Sequence, residues 1–236
     1  MQRYLFILSM TLLTSRAVFT QPIFNDFDDF LSENVVFGLV DYGLLKERPG
    51  QLGELVEKIG KYKLDTASKD HITAFYINAY NILVIKQIVD NYPIKSPMDV
   101  DGFFKRANFR VAGESISLDQ IEFEKLIGRT NDPRIHFALG CGARSCPFLY
   151  SNAFFPKQLH EQLEFRARQI IEQPNYVFVE ESERTVTVSK IFDWYQDQFE
   201  SSAGSLIKYI NQYKRKKVPE VFYVKFHEYD WSLNDQ

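Results

Sequence analysis

The chain has 236 residues, of which 45% are hydrophobic, so it is long and apolar enough to bury the core of one globular domain. Its net charge of −3 argues against a surface built to bind nucleic acid. Two cysteines are too few for a disulfide framework. The aromatic content of 15% indicates a core rich in Phe and Tyr.

The N-terminus has the pattern of a targeting segment. A short positive start, "MQRY", precedes the apolar run "YLFILSMTLL", and small and polar residues follow. This run of about ten residues is too short to span a bilayer and is typical of the middle of a signal peptide. We therefore expect residues 1–20 to be a signal peptide and the protein to be secreted or periplasmic. A buried N-terminal helix is the alternative. No membrane-spanning segment is expected in the mature chain.

The first part of the mature chain predicts helices. Residues 21–39 read as a polar, acidic lead-in to a domain over 40–236. Apolar residues at helical spacing predict a helix near 51–61, namely Leu52, Leu55, Val56 and Ile59. Ser68 or Asp70 can cap a longer helix that runs to about Asn91, before a Tyr-Pro pair. Because this helix is apolar on most sides, we expect it at the centre of the fold.

The middle of the chain predicts two kinds of element. "NFRVAGESISL" alternates around a glycine turn and indicates a hairpin. Ser117 can cap a helix over about 118–126, and Gln120 completes a capping box. The run "RIHFALG" after "NDP" is interpreted as a short buried strand.

The last part of the chain adds helices and a few strands. Pro156 introduces an amphipathic helix whose apolar stripe is Leu159, Leu163, Ala167 and Ile170. "YVFVEESERTVTVS" predicts a hairpin, Ser189 can cap a helix over "KIFDWYQDQF", and a final helix and strand follow. The strands come mostly as hairpins, so the sequence predicts a single α+β domain with helices packed on a small mixed or antiparallel sheet.

The segment "RIHFALGCGARSCP" carries the residues best suited to chemistry. Strand alternation would place His136 on the opposite face from Cys141. "SCP" resembles the first turn of a helix, where the amide dipoles would favour a thiolate at Cys146. This pattern favours Cys146 as a nucleophile and His136 as its base, with Glu122 or Asp132 orienting the imidazole.

Other interpretations of the same segment remain open. Cys141 and Cys146 can form a structural disulfide or a redox switch, or can be inert and buried. His136 and the two cysteines offer three metal ligands, but without paired spacing, and no metal or cofactor is predicted.

Several segments together resemble one family. "AFYINAYNILVIKQIVDNYP", "SLDQIEFEKLI", "DPRIHFALGCGARSCPFL", "VTVSKIFDWYQDQF" and "YDWSLND" occur in this order, and the chain resembles the domain of unknown function 547 family from about Val40 to Asn234. The resemblance implies a fold like that of cysteine proteases or transglutaminases and a Cys-His-Glu catalytic group. Carried over by position, this group is His136, Glu122 and either Cys141 or Cys146.

The motif "INAYN" places two amides in an otherwise apolar helix. Asn78 and Asn81 are three residues apart and so share a helical face. Buried amides need partners, and these two either hold a neighbouring loop or form the wall of a cleft. We take Asn78, Asn81, Arg144 and Ser145 as candidate substrate-binding residues.

The sequence therefore predicts an exported thiol-dependent enzyme, an amide hydrolase or acyl transferase acting on an unidentified peptide or amide. The alternative is a non-catalytic secreted or envelope binding module with a Cys141–Cys146 disulfide or redox switch.

Overall fold

Helices make up most of the regular structure in the computed structural model, which describes residues 22–106 and 108–236. The expected signal peptide lies outside these residues. The α-helices are α1 Pro22–Asn34, α2 Tyr42–Glu47, α3 Gly50–Lys61, α4 Lys69–Asn91, α5 Leu118–Gln120, α6 Gly128–Thr130, α7 Leu159–Ile171, α8 Ile191–Trp194, α9 Gln196–Ala203 and α10 Leu206–Tyr213. A π-helical turn, Ile121–Ile127, joins α5 to α6, and two 3₁₀ helices span Pro97–Asp99 and Pro133–Phe137.

The strands form three small sheets. Their bounds are β1 Val35–Val36, β2 Leu39–Val40, β3 Phe109–Val111, β4 Glu114–Ile116, β5 Val177–Glu180, β6 Thr185–Val188 and β7 Tyr223–Phe226. β1 pairs with β2 and β3 with β4, each as an antiparallel hairpin. In the third sheet β6 lies between an antiparallel β5 and a parallel β7. Helices with small antiparallel and mixed sheets confirm the predicted single α+β domain.

Helix α4 is the centre of the fold, as its sequence predicts. Ser68 caps it by accepting a hydrogen bond from the His71 amide at 3.2 Å. By length and apolar composition α4 would be long enough to cross a membrane, but 83% of its most apolar window is buried inside the domain. We therefore describe it as a core helix.

Helix α1 lies in the segment expected to be a polar lead-in. Its Phe24, Phe27 and Phe30 are fully buried and belong to the same core as α4. Their spacing of three residues places them on one face of the helix. The folded unit therefore includes residues that precede Val40, the expected start of the domain.

The second half of the described chain forms a neighbouring apolar cluster. The predicted stripe of α7 is buried along its whole length. From α7, Ala167 and Ile170 pack with side chains of β5, β6 and helices α8 to α10. A cavity lies where this cluster meets the core around α4. Its wall contains Leu139 from the core around α4 and Ile191 from the second cluster.

The strand predicted for "RIHFALG" is wrong. Residues Pro133–Phe137 form a 3₁₀ helix, in which Pro133 occupies the first position and the Asp132 carboxylate accepts a hydrogen bond from the Arg134 amide. A proline at the start and an Asp cap favour a helical turn over a strand. In this helical turn side chains do not alternate between two faces, so His136 and Cys141 are not held on opposite sides.

The helix start predicted for "SCP" is also wrong. The Cys146 amide donates to the Ala143 carbonyl at 3.2 Å, which closes a tight turn. The amides of Arg144 and Ser145 donate to the carbonyls of Ser232 and Asp230, at 2.8 and 3.1 Å. The C-terminal segment thus holds this loop, and no helix dipole acts on Cys146.

Helix α8 is shorter than predicted. The Ser189 hydroxyl accepts from the Ile191 amide at 3.4 Å, as a cap would. The helix nevertheless ends at Trp194, and α9 starts at Gln196. Tyr195 between them adopts a non-helical backbone conformation, and its side chain points to the cavity.

Candidate functional site

A cavity of about 290 Å³ collects all four predicted catalytic side chains. Cys141, Cys146, His136 and Glu122 line it together. Most of the remaining wall is aromatic, and its aromatic residues are Tyr80, Phe104, Phe123, Trp194, Tyr195, Tyr229 and Trp231. An apolar cavity with a few convergent polar groups is the usual form of a ligand site.

Asn81 holds the segment that leads into Cys141. Its side chain donates to the Ala138 carbonyl at 2.9 Å and accepts from the Gly140 amide at 2.8 Å. Asn81 is 1% exposed, so both hydrogen bonds are shielded from water. One amide side chain on α4 thus fixes the backbone on both sides of Leu139.

Asn78 supports a different loop in the same way. It donates to the Phe154 carbonyl at 2.8 Å and accepts from the Phe154 amide at 2.9 Å. Neither Asn78 nor Asn81 lies on the cavity wall. The structure therefore places both amides as supports for loops, which was the alternative to direct contact with a substrate.

The two thiols are free and differ in exposure. Cys146 is buried, and its sulfur accepts from the Cys141 amide at 2.8 Å and lies 3.7 Å from the Leu139 carbonyl. Cys141 is half-buried, and its sulfur lies 3.2 Å from the Tyr229 hydroxyl. Gly142, which follows, has a φ of 80° and packs against Ile88, where a side chain would not fit.

Hydrogen bonds make Cys141 the more acidic thiol. Burial raises the pKa of Cys141, but hydrogen bonds from Cys146, Tyr229 and the Ala143 backbone outweigh it, so the pKa lies below its ordinary value. Burial, and then the hydrogen bond and charge of Cys141, raise the pKa of Cys146 well above its ordinary value. Of the two thiols, Cys141 therefore loses its proton more readily, whereas the sequence favoured Cys146.

Glu122 lies on the π-helical turn and faces two tyrosines. The Tyr195 hydroxyl donates to its Oε1 at 2.7 Å, and the Tyr80 hydroxyl to its Oε2 at 3.4 Å. Burial raises the pKa of Glu122, the hydrogen bond from Tyr195 lowers it, and the nearby charge of Asp119 raises it further. The net pKa lies above its ordinary value.

His136 is a neutral imidazole with one free nitrogen. Its Nε2 lies 2.6 Å from Gln198 Oε1, and because a carbonyl oxygen only accepts, Nε2 carries the proton. Nδ1 is then unprotonated and lies 4.0 Å from Glu122 Oε1. Burial lowers the pKa of His136 to about 4, and the ring stacks on Tyr195 at 3.7 Å between centroids.

The group that orients the imidazole is Gln198, which the sequence analysis did not identify. Asp132, one of the two predicted carboxylates, pairs instead with Arg134, with Oδ2 2.7 Å from Nη2. Glu122, the other, stands beside Nδ1 and makes its hydrogen bonds to Tyr80 and Tyr195. The charge of Asp132 also raises the pKa of the His136 ring, although less than burial lowers it, whereas Gln198 fixes the tautomer of the ring.

Arg144 and Ser145 lie on the other side of the thiols. They line a separate groove of about 930 Å³, which shares Cys146 and Tyr229 with the cavity. The Ser145 hydroxyl accepts from the Asp230 amide at 2.8 Å, so it stabilises the loop. The structure does not bring these two residues to the wall that Cys141 lines.

The sequence patterns also did not predict several other residues of the cavity wall. Tyr80 lies inside "INAYN", where a polar group among buried residues was the available signal. Trp194 is 46% exposed and lines the cavity, whereas Phe199 is buried. Tyr229 and Trp231 lie in "YDWSLND", one of the segments that carry the family resemblance, which was the available signal. Their place at the cavity depends on how the C-terminal segment crosses the loop.

The same residues offer no ready metal centre. Within the described ranges, no group of three or more His, Cys, Asp or Glu side chains is arranged to hold a metal ion.

Fold and site together define an α+β domain with a thiol in an aromatic cavity. Residues 64–171 match a known family, described as "Protein of unknown function, DUF547", and this match supports the family assignment that the sequence predicted. The match contains Glu122, His136 and both cysteines, whereas Tyr195 and Tyr229 lie beyond it. No curated protein and no solved structure matches the chain. The expected likeness to cysteine proteases or transglutaminases therefore has no structural support.

Proposed function

We propose that this protein is a thiol-dependent amide hydrolase or acyl transferase whose nucleophile is Cys141. The observation that carries the proposal is a half-buried thiol of lowered pKa on the same cavity wall as the free Nδ1 of His136. Catalytic groups are typically those whose pKa the protein has shifted inside a cleft. The protein is further proposed to be exported, on the basis of its N-terminal sequence.

In the first half of the reaction His136 Nδ1 takes the proton from Cys141, and the thiolate attacks the carbonyl carbon of an amide. A C–S bond forms, the C–N bond breaks, and the imidazolium returns the proton to the leaving amine. Glu122 stabilises the imidazolium because its carboxylate lies 4.0 Å from Nδ1. Gln198 keeps the ring in the tautomer that leaves Nδ1 free.

In the second half, water or an acceptor amine attacks the thioester while His136 Nδ1 takes its proton. The C–S bond breaks, the acid or new amide leaves, and the proton returns to Cys141. Tyr229 supports both halves by its hydrogen bond to the sulfur, which stabilises the thiolate each time it forms. Atoms and charges balance without a metal or redox cofactor.

Alkylation with iodoacetamide tests the assignment of the nucleophile. Peptide mass spectrometry at about pH 6 should show Cys141 labelled faster than a free thiol, because a lowered pKa raises the thiolate fraction. Cys146 should stay unlabelled. Cys141→Ser should abolish the fast labelling, and Cys146→Ser, which keeps a hydroxyl donor, should retain most of it. Faster labelling of Cys146, or a Cys141 rate equal to that of a free thiol, would refute the proposal.

The same samples distinguish the binding-module alternative. The intact mass of protein purified without reductant should be that of two free thiols. A mass lower by about 2 Da, with no fast labelling of either cysteine, would favour a structural Cys141–Cys146 disulfide instead.

A further inference from the structure

The charge on the cavity wall is uniformly negative. Asp119 and Glu122 line the cavity, and no Lys or Arg of the described chain does so. Glu122 makes its hydrogen bonds to tyrosine hydroxyls, and the neighbouring His136 is neutral because burial lowers its pKa to about 4. Two carboxylates therefore face the cavity without a cation from the wall.

Asp119 makes no close ion pair in the part of the chain that the structure describes. Among residues 22–106 and 108–236, no Lys or Arg nitrogen forms an ion pair with it within 4.0 Å. Burial raises the pKa of Asp119, and the charge of Lys105 lowers it from an exposed position. Burial disfavours the charged form of Asp119, and a cation that enters the cavity would stabilise that form.

The aromatic wall offers a second attraction for a cation. Trp194, Tyr229 and Trp231 pack on one another with ring centroids 4.6 to 5.8 Å apart. Phe123 also lines the cavity and is 46% exposed. The faces of Trp and Tyr rings attract ammonium and guanidinium groups. Acidic and aromatic groups therefore favour the same kind of ligand.

On the basis of the proposed function, we infer that the amide substrate carries an ammonium or guanidinium group beside the bond that Cys141 attacks. Asp119 and the aromatic wall formed by Trp194, Tyr229 and Trp231 receive this group. A carboxylate or phosphate at the same place would be repelled by Asp119, by Glu122 and by the thiolate itself. The cavity thus selects cationic over anionic substrates.

Three thiol reagents that differ in the charge of one group test this inference directly. Trimethylammonioethyl, ethyl and sulfonatoethyl methanethiosulfonate each transfer their alkylthio group to a thiolate and release methanesulfinate. The rate of modification of Cys141 is measured for each reagent by peptide mass spectrometry and divided by its rate with free mercaptoethanol. We expect the corrected rate for the cation to exceed that for the anion by about tenfold or more.

Two variants identify the charge that is responsible. Asp119→Asn should reduce the ratio of cation to anion rates by about threefold or more. Glu124→Gln is the matched control, because Glu124 lies five residues further along the chain, is exposed and does not line the cavity. It should leave the ratio unchanged. Equal wild-type rates for cation and anion, or an equal loss in both variants, would overturn the inference.

The neutral reagent separates this inference from the proposed function. If the neutral reagent modifies Cys141 slowly at about pH 6 while the ratio of cation to anion rates stays high, the acidic thiol is refuted and the charge preference is supported. If the neutral reagent modifies Cys141 rapidly and the cationic and anionic reagents react at equal rates, the acidic thiol is supported and the charge preference is refuted.

Discussion

Replacing Asn81 by Ala should destabilise the fold and loosen the loop that carries Cys141. The substitution removes the partners of the Ala138 carbonyl and the Gly140 amide, which lie 2.9 and 2.8 Å from the side chain. Leaving each buried backbone group unsatisfied costs about 1–2 kcal/mol, so the free energy of unfolding should fall by about 3 kcal/mol. Cys141 should also lose its fast alkylation at about pH 6, because its hydrogen bonds depend on the loop.

Asn78 provides a matched control for this experiment. It is equally buried, lies three residues earlier on α4 and makes the same pair of hydrogen bonds to Phe154. Urea unfolding should show a similar loss of stability in Asn78→Ala, whereas the alkylation rate of Cys141 should stay at the wild-type value. A loss below about 1 kcal/mol in Asn81→Ala, or equal effects of both variants on Cys141, would refute the reasoning.

Three further predictions concern the cavity. Tyr229→Phe should raise the pKa of Cys141 and slow its alkylation at about pH 6 by about tenfold, because the thiolate loses a hydrogen bond. Glu122→Gln should do the opposite and accelerate alkylation, because the negative charge of Glu122 raises the pKa of Cys141; unchanged rates would contradict this. Burial lowers the pKa of His136 from 6.5 to about 4. As the pH falls from 6.5 to about 4, the imidazole takes up a proton in the unfolded chain but not in the folded chain, and this favours unfolding. In urea titrations the free energy of unfolding of the wild type should fall by about 3 kcal/mol over this range because of His136. His136→Gln lacks the imidazole, so its free energy of unfolding should fall by about 3 kcal/mol less.

Sequence patterns predicted the elements whose signals are local. Ser68 caps α4, and the Ser117–Gln120 capping box occurs as expected. The stripe of α7 is buried because residues three and four apart share a helical face. These features depend on neighbours within one or two turns, and so a single sequence determines them.

The errors occurred where short segments carry conflicting signals. The apolar run after Pro133 is too short for its periodicity to separate a strand from a helical turn. "SCP" has the composition of a helix start, but the amides of Arg144 and Ser145 donate to the C-terminal segment instead. A contact between residues so far apart in sequence leaves no trace in the local pattern.

In the candidate site, too, the sequence predicted features that depend on local signals and did not predict those that depend on the fold. The sequence identified Cys141, Cys146, His136 and Glu122 as a set, and the structure brings them to one cavity. It did not determine which thiol is the more acidic, because this depends on hydrogen bonds made by the folded loop, including one from Tyr229. The sequence identified the reactive groups, but the choice between the two thiols depends on contacts that form only in the folded chain.

The crossing of the cysteine loop by the C-terminal segment has a consequence for the newly made chain. Ser145 and its partner Asp230 are 85 residues apart, so a ribosome needs about ten seconds to extend the chain from one to the other. During this interval Tyr229 has not been made, and the loop lacks the C-terminal segment that anchors it. The Cys141 thiol of the nascent chain therefore lacks the hydrogen bond from Tyr229 that lowers its pKa, and gains it only when the C-terminal segment joins the fold.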